Sequence, residues 1–137
     1  MEVLASITIF SVVAAGLGAA TVGSIKSNAA SKDIAAASAL VQNEVEQLRA
    51  LDPVVPPVCA TSPQLPQCGL KIGSHSDTAN PMGPLGQAGG KFTRTWTVTA
   101  NTPALGLSLV VVSVTWGQPQ SRTVTGATYV CASSTCS

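Results

Sequence analysis

Residues 1–25 read MEVLASITIFSVVAAGLGAATVGSI. Glu2 stands at the front, Val3 to Ile25 carry no formal charge, and Lys26 closes the run. As a helix rising about 1.5 Å per residue, this stretch covers roughly 35 Å, enough to cross the hydrocarbon core of a bilayer. A secretory signal peptide has a basic start, a shorter apolar core and a small-residue cleavage site. Here a glutamate replaces the basic start, and the run is longer. A plain single-pass anchor accounts for the apolar residues but not for Glu2, because a carboxylate taken out of water needs a partner.

The helical pattern continues past Lys26. Ser27 to Leu51 contain neither Gly nor Pro, and Ile34, Ala37, Val41, Val45 and Leu48 recur at steps of three and four. That spacing predicts one apolar stripe, with Lys32, Asp33, Asn43, Glu44, Glu46 and Arg49 off it. Asp52-Pro53 and Pro56-Pro57 end the helix. The expectation is one helix of about 50 residues, roughly 75 Å long. Residues 1–25 form its apolar half and residues 26–52 its amphipathic half. Gly16, Gly18 and Gly23 lie in the apolar half among small residues. Each glycine costs about 1 kcal/mol relative to alanine, which invites local unwinding. The pairs Ala14/Gly18, Gly16/Ala20 and Ala19/Gly23 also allow helices to approach closely.

Residues 53–91 are rich in Pro and Gly and read as a loop, with Gly69-Leu70-Lys71-Ile72 as a short strand within it. From Lys91 the period becomes two. Phe92 to Thr99 alternate bulky residues with threonine, Leu107 to Trp116 (LSLVVVSVTW) are apolar on both faces as in a middle strand, and Arg122 to Val130 give a third strand. The short connections require antiparallel pairing. The expected class is therefore α+β: a long N-terminal helix packed on a C-terminal antiparallel sheet of three or more strands in residues 92–137. Trp96, Val98, Val112, Val114 and Trp116 are candidates for the core. Cys59, Cys68, Cys131 and Cys136 allow three disulfide connectivities, and local pairing, 59–68 and 131–136, is expected.

Charged residues make up 9% of the 137 and the net charge is +1, so there is no basic field for nucleic acid. Aromatics at 4% leave no base-stacking surface. Cysteine intervals of eight and four residues do not form zinc knuckles. His75 is the sole histidine and sits in a Gly/Ser stretch, read as a solvated loop without a base–orienter partner. No phosphate-cradling GxxxxGK[ST] loop occurs. These features predict a protein that is not an enzyme, with no metal, cofactor or small-molecule ligand evident.

Glu2 before an uncharged run, a continuous amphipathic helix, a loop, and an antiparallel sheet ending in a cysteine pair together resemble a type IV pilin. Met1-Glu2-Val3-Leu4 is similar to the start of that family's apolar segment, and VVVSVTW within Trp96–Trp116 resembles PilV-like minor pilins and type II secretion pseudopilins. In the family a few residues, usually beginning with an N-methylated phenylalanine, precede the segment that Met1 begins here. Gly16, Gly18 and Gly23 replace the helix-breaking proline that many pilins carry. The resemblance implies a helical homo-oligomer, an extracellular pilus on the bacterial surface whose subunit waits in the inner membrane as a single-pass protein. It implies a prepilin peptidase, a platform protein and an assembly ATPase as partners, and makes Glu2 the assembly residue. A minor pilin or pseudopilin that primes or caps a filament shares this architecture. A monomeric, single-pass anchored adhesion domain is the reading from another class.

Overall fold

The computed structural model describes residues 2–52, 54–61, 65–117 and 120–131; within the helix, side chains are described at position 21 and from position 24 onward. The chain is α+β. Helix α1 spans Glu2–Arg49, and strands β1 (Gly73–Ser76), β2 (Thr93–Ala100), β3 (Leu107–Trp116) and β4 (Arg122–Cys131) form one antiparallel sheet in the order β1-β2-β3-β4. The chain divides into two compact units, Met1–Ile34 and Ala35–Ser137.

In the first unit the backbone is helical from Glu2 and passes through Gly16, Gly18 and Gly23 without a break. The unwinding expected at those glycines is absent from the single chain, where each residue of an established helix still adds a hydrogen bond. The side chains of Glu2 and of the small-residue pairs lie outside the described residues. Thr21, Ser24, Ile25, Lys26, Ser27 and Asn28 are exposed. Among the residues whose side chains are described, which leave out most of the run Val3–Ile25, no helix is long and apolar enough to cross a membrane.

The second unit is built where the two periodicities meet. On α1, Ala37, Leu40, Val41 and Leu48 are buried. Opposite them, β3 alternates without exception, with Ser108, Val110, Val112, Val114 and Trp116 buried and the intervening residues half-buried. Phe92, Val98, Met82 and Leu70 complete the same core. Ile34, expected on the stripe, is 46% exposed, since the buried face of the helix begins at Ala37. Trp96 is only half-buried, because it stands near the short edge strand β1. The opposite sheet face carries hydroxyls, with Ser113 bonded to Thr125 at 3.3 Å and Thr115 to Thr123 at 3.2 Å.

The helix ends as its proline boundary requires. Ala50 N–H donates to Glu46 O at 3.1 Å and Gln47 O at 3.2 Å, Leu51 N–H tightens onto Leu48 O, and Asp52 Oδ1 accepts from Val54 N–H at 2.8 Å. Two 3-10 turns follow, Pro57–Ala60 and Pro66–Cys68, and a Cys59–Cys68 disulfide joins them. Cys131 is also disulfide-bonded, and Cys136 lies outside the described residues. Residues 69–72 form a turn instead of the expected strand, and the strand starts at Gly73. Gly69 is the reason: a Cβ there would lie 2.7 Å from Leu48 Cδ2, and its carbonyl accepts the Trp96 indole N–H at 2.8 Å. The turn is thus drawn in under the helix end and has no extended partner.

Gly126, in mid-strand, sets how closely β4 approaches the helix. A Cβ at this position would sit 2.5 Å from Val41 Cγ1. Valine is stiff at χ1 and cannot swing away cheaply. Gly126→Ala is therefore expected to lose about 1–3 kcal/mol of stability instead of gaining the usual few tenths from a stiffer chain. Urea denaturation checks this, and Val41→Ala in the same chain should recover most of the loss.

Candidate functional site

Beneath the helix end lies a cavity of about 470 Å³. Three elements wall it. α1 and its final turn contribute Glu44, Leu48 and Leu51; the Pro66–Cys68 turn contributes Leu65 and Pro66; the sheet edge and the residues after it contribute His75, Asp77 and Trp96. Strand register makes the aromatic wall. His75 pairs with Trp96 across β1 and β2, so both rings leave the sheet on one face. They stack with centroids 5.2 Å apart and planes 6° from parallel. His75 Nε2 is 2.6 Å from Lys71 O. A carbonyl only accepts, so Nε2–H is the donor and that nitrogen is occupied by the main chain. The solvated-loop reading of His75 is corrected: it is a half-buried strand residue on a cavity wall.

Arg94 sits behind the acidic end of the cavity. It is buried, and its Nη2 lies 2.8 Å from Glu44 Oε2 and also contacts Asp77 Oδ2. Arg94 Nε donates to Asp77 Oδ2 at 3.1 Å, and Nη1 to Leu40 O at 3.2 Å. Asn80 clamps the main chain of the same residue, accepting from Arg94 N–H at 2.8 Å and donating to Arg94 O at 2.7 Å. Asp77 Oδ1 accepts from Ala79 N–H at 2.8 Å. A buried guanidinium thus holds two carboxylates from different parts of the chain, and its planar fork suits this task where a lysine would not.

Glu44 was expected on the polar side of the helix, and the structure corrects that. It is 5% exposed. The spacing held the signal, because 44 falls between buried Leu40, Val41 and Leu48 at helical steps; its charge hid it. Burial raises the Glu44 carboxyl above its ordinary value, Arg94 pulls it down, and Asp77 adds to the rise. The native state therefore takes up this proton more readily than the unfolded chain. Stability at Glu44 falls as pH rises from the ordinary glutamate value through the raised native one, and returns as pH falls through the same window. Relative to Glu44→Gln, the wild type should gain stability as pH is lowered through that window. Urea midpoints of both proteins across mildly acidic pH measure it; a constant difference or the opposite slope would contradict it.

Among the described residues, no three His, Cys, Asp or Glu side chains are grouped to hold a metal ion. Of the residues singled out in the sequence, Cys59 and Cys68 come together beside the cavity's Pro66 wall, while Glu2, Gly16, Gly18 and Gly23 belong to the first unit. Arg94 and Asp77 were not singled out, and Glu44 was read only as a residue of the helix's polar side. The chain matches no family model, no curated protein and no solved structure.

Proposed function

We propose that this chain is a structural subunit of an extracellular type IV pilus filament that polymerises through its N-terminal helix. One observation carries the reading: Glu2 precedes the uncharged run Val3–Ile25 on a single helix that continues to Arg49 and ends in an α+β unit. Before assembly the apolar half lies in the inner membrane. During assembly it leaves lipid and bundles with copies of itself, its small residues allowing close approach. Glu2 then enters a core without water and takes the terminal amine of a neighbouring subunit as its partner, as in pilins, which sets the axial register. A separate ATPase and platform protein supply the work.

Removing one member of such a buried pair costs about 3–5 kcal/mol per subunit. Glu2→Ala is therefore expected to insert normally into the membrane and to abolish or severely reduce filaments, read by electron microscopy and by mass spectrometry of material sheared from cells. Normal filaments in that variant would exclude the proposal. The motif VVVSVTW favours a second reading, a minor pilin or pseudopilin. In that case this chain is a trace component beside another pilin in the sheared fraction, or stays in the membrane. A monomeric anchored adhesion domain would be indifferent to the Glu2 substitution.

A further inference from the structure

We propose that the cavity beneath the helix end binds an organic cation, an alkylammonium or alkylguanidinium group, with Glu44 and Asp77 taking the charge and Trp96 the hydrocarbon. The charge count comes first. Glu44 and Asp77 bring two negative charges and Arg94 one positive, so the cluster carries one excess negative charge. No lysine or arginine is among the described residues lining the cavity. Glu44 sharpens this. Its side chain lines the cavity and is only 6% exposed, with Arg94 holding Oε2. A carboxylate so far removed from water gains from a second positive partner, and a cation arriving from the cavity supplies one with a charge-assisted hydrogen bond.

The remaining walls say what the cation is attached to. Leu48, Leu51, Leu65 and Pro66 make one side apolar, and the Trp96–His75 stack makes the other aromatic. A bare metal ion would leave those walls wet, whereas a short alkyl chain covers them. An aromatic face next to a carboxylate also favours a cation through its quadrupole. The volume of about 470 Å³ falls in the range of small-molecule sites. An anion is repelled, and a neutral ligand leaves the excess charge unanswered. The same chemistry is offered by a free amine and by the side chain of a lysine or arginine on another polypeptide.

The test uses the full-length chain in non-ionic detergent. Butylguanidinium, butylammonium and neutral butylurea are titrated while the indole N–H resonance of Trp96 is followed, assigned through its loss in Trp96→Phe. At least one cation should give a saturable shift with Kd on the order of 1 mM, as expected for a ligand this small. Butylurea should bind at least about tenfold more weakly, the consequence of removing one charge-assisted contact. Glu44→Gln should weaken the cation by a similar factor, and Glu46→Gln, on an exposed position of the same helix, should leave it unchanged. Acetyl-Gly-Arg-Gly-amide separates the sources: binding equal to butylguanidinium assigns a polypeptide side chain, and binding of the free cations alone assigns a small amine. Equal binding of butylurea, or no saturable shift with any cation, overturns the proposal. That comparison needs only the wild-type protein and holds even where Glu44→Gln fails to fold.

Discussion

Arg94→Met is expected to destabilise the second unit by about 3–5 kcal/mol, a large part of what a domain of this size has. The cause is what the arginine leaves behind. Glu44 and Asp77 would keep their positions at side-chain exposures of 6% and 14%, with no positive charge between them. Their repulsion and desolvation then go unopposed. Leu40 O would also lose its guanidinium donor. The backbone at 94 need not move, since Asn80 holds both its N–H and its carbonyl. The loss is therefore one of charge and not of strand pairing. The double variant Arg94→Met/Glu44→Leu should be clearly more stable than Arg94→Met alone, because the more buried carboxylate is gone and Asp77 can turn to water. Urea denaturation of the three proteins measures this. A loss below about 1 kcal/mol in the single variant, the size expected of an exposed ion pair, would show that the cluster is solvated.

Phe92→Ala should cost a similar amount, about 3–5 kcal/mol, by a different route. Phe92 is 1% exposed and lies against Trp116, with ring centroids 5.8 Å apart. Its main chain exchanges two hydrogen bonds with Met82, at 2.7 and 3.0 Å, which fold the 82–92 loop back on itself. That frame cannot collapse into the space left by the ring, so the transfer loss and the cavity term add. A shift in melting temperature of more than about 10 °C is expected. Phe92→Leu should recover most of it. If Phe92→Ala and Phe92→Leu melt together, the ring is not the keystone between Met82 and Trp116.

These two sites differ in how far they were legible beforehand. Phe92 opens a run of alternating residues, and alternation is a local property: each side chain's face follows from the pleat, two residues at a time. The same holds for β3, whose bounds Leu107–Trp116 match the run read from the sequence, and for the helix, whose stripe at Ala37, Val41 and Leu48 is visible in its steps. The α+β class follows from those two periods and their order along the chain.

Register and long-range pairing are not local. His75 and Trp96 stack because β1 pairs with β2 in one register; a one-residue slip would send His75 to the opposite face. Arg94 meets a carbonyl 54 positions earlier and a carboxylate 17 positions earlier, distances in sequence over which no periodicity carries information. Glu44 was misread because its charge argued for water while its spacing argued for the core. Only a guanidinium brought from β2 reconciles the two. By itself, the sequence determined an apolar front led by Glu2, a long helix and an antiparallel sheet, because each of these is written in the chemistry of near neighbours. The tertiary structure alone decided that the helix end, a disulfide-bonded turn and the sheet edge would enclose an acidic, aromatic cavity, because that depends on which distant residues the folded backbone sets side by side.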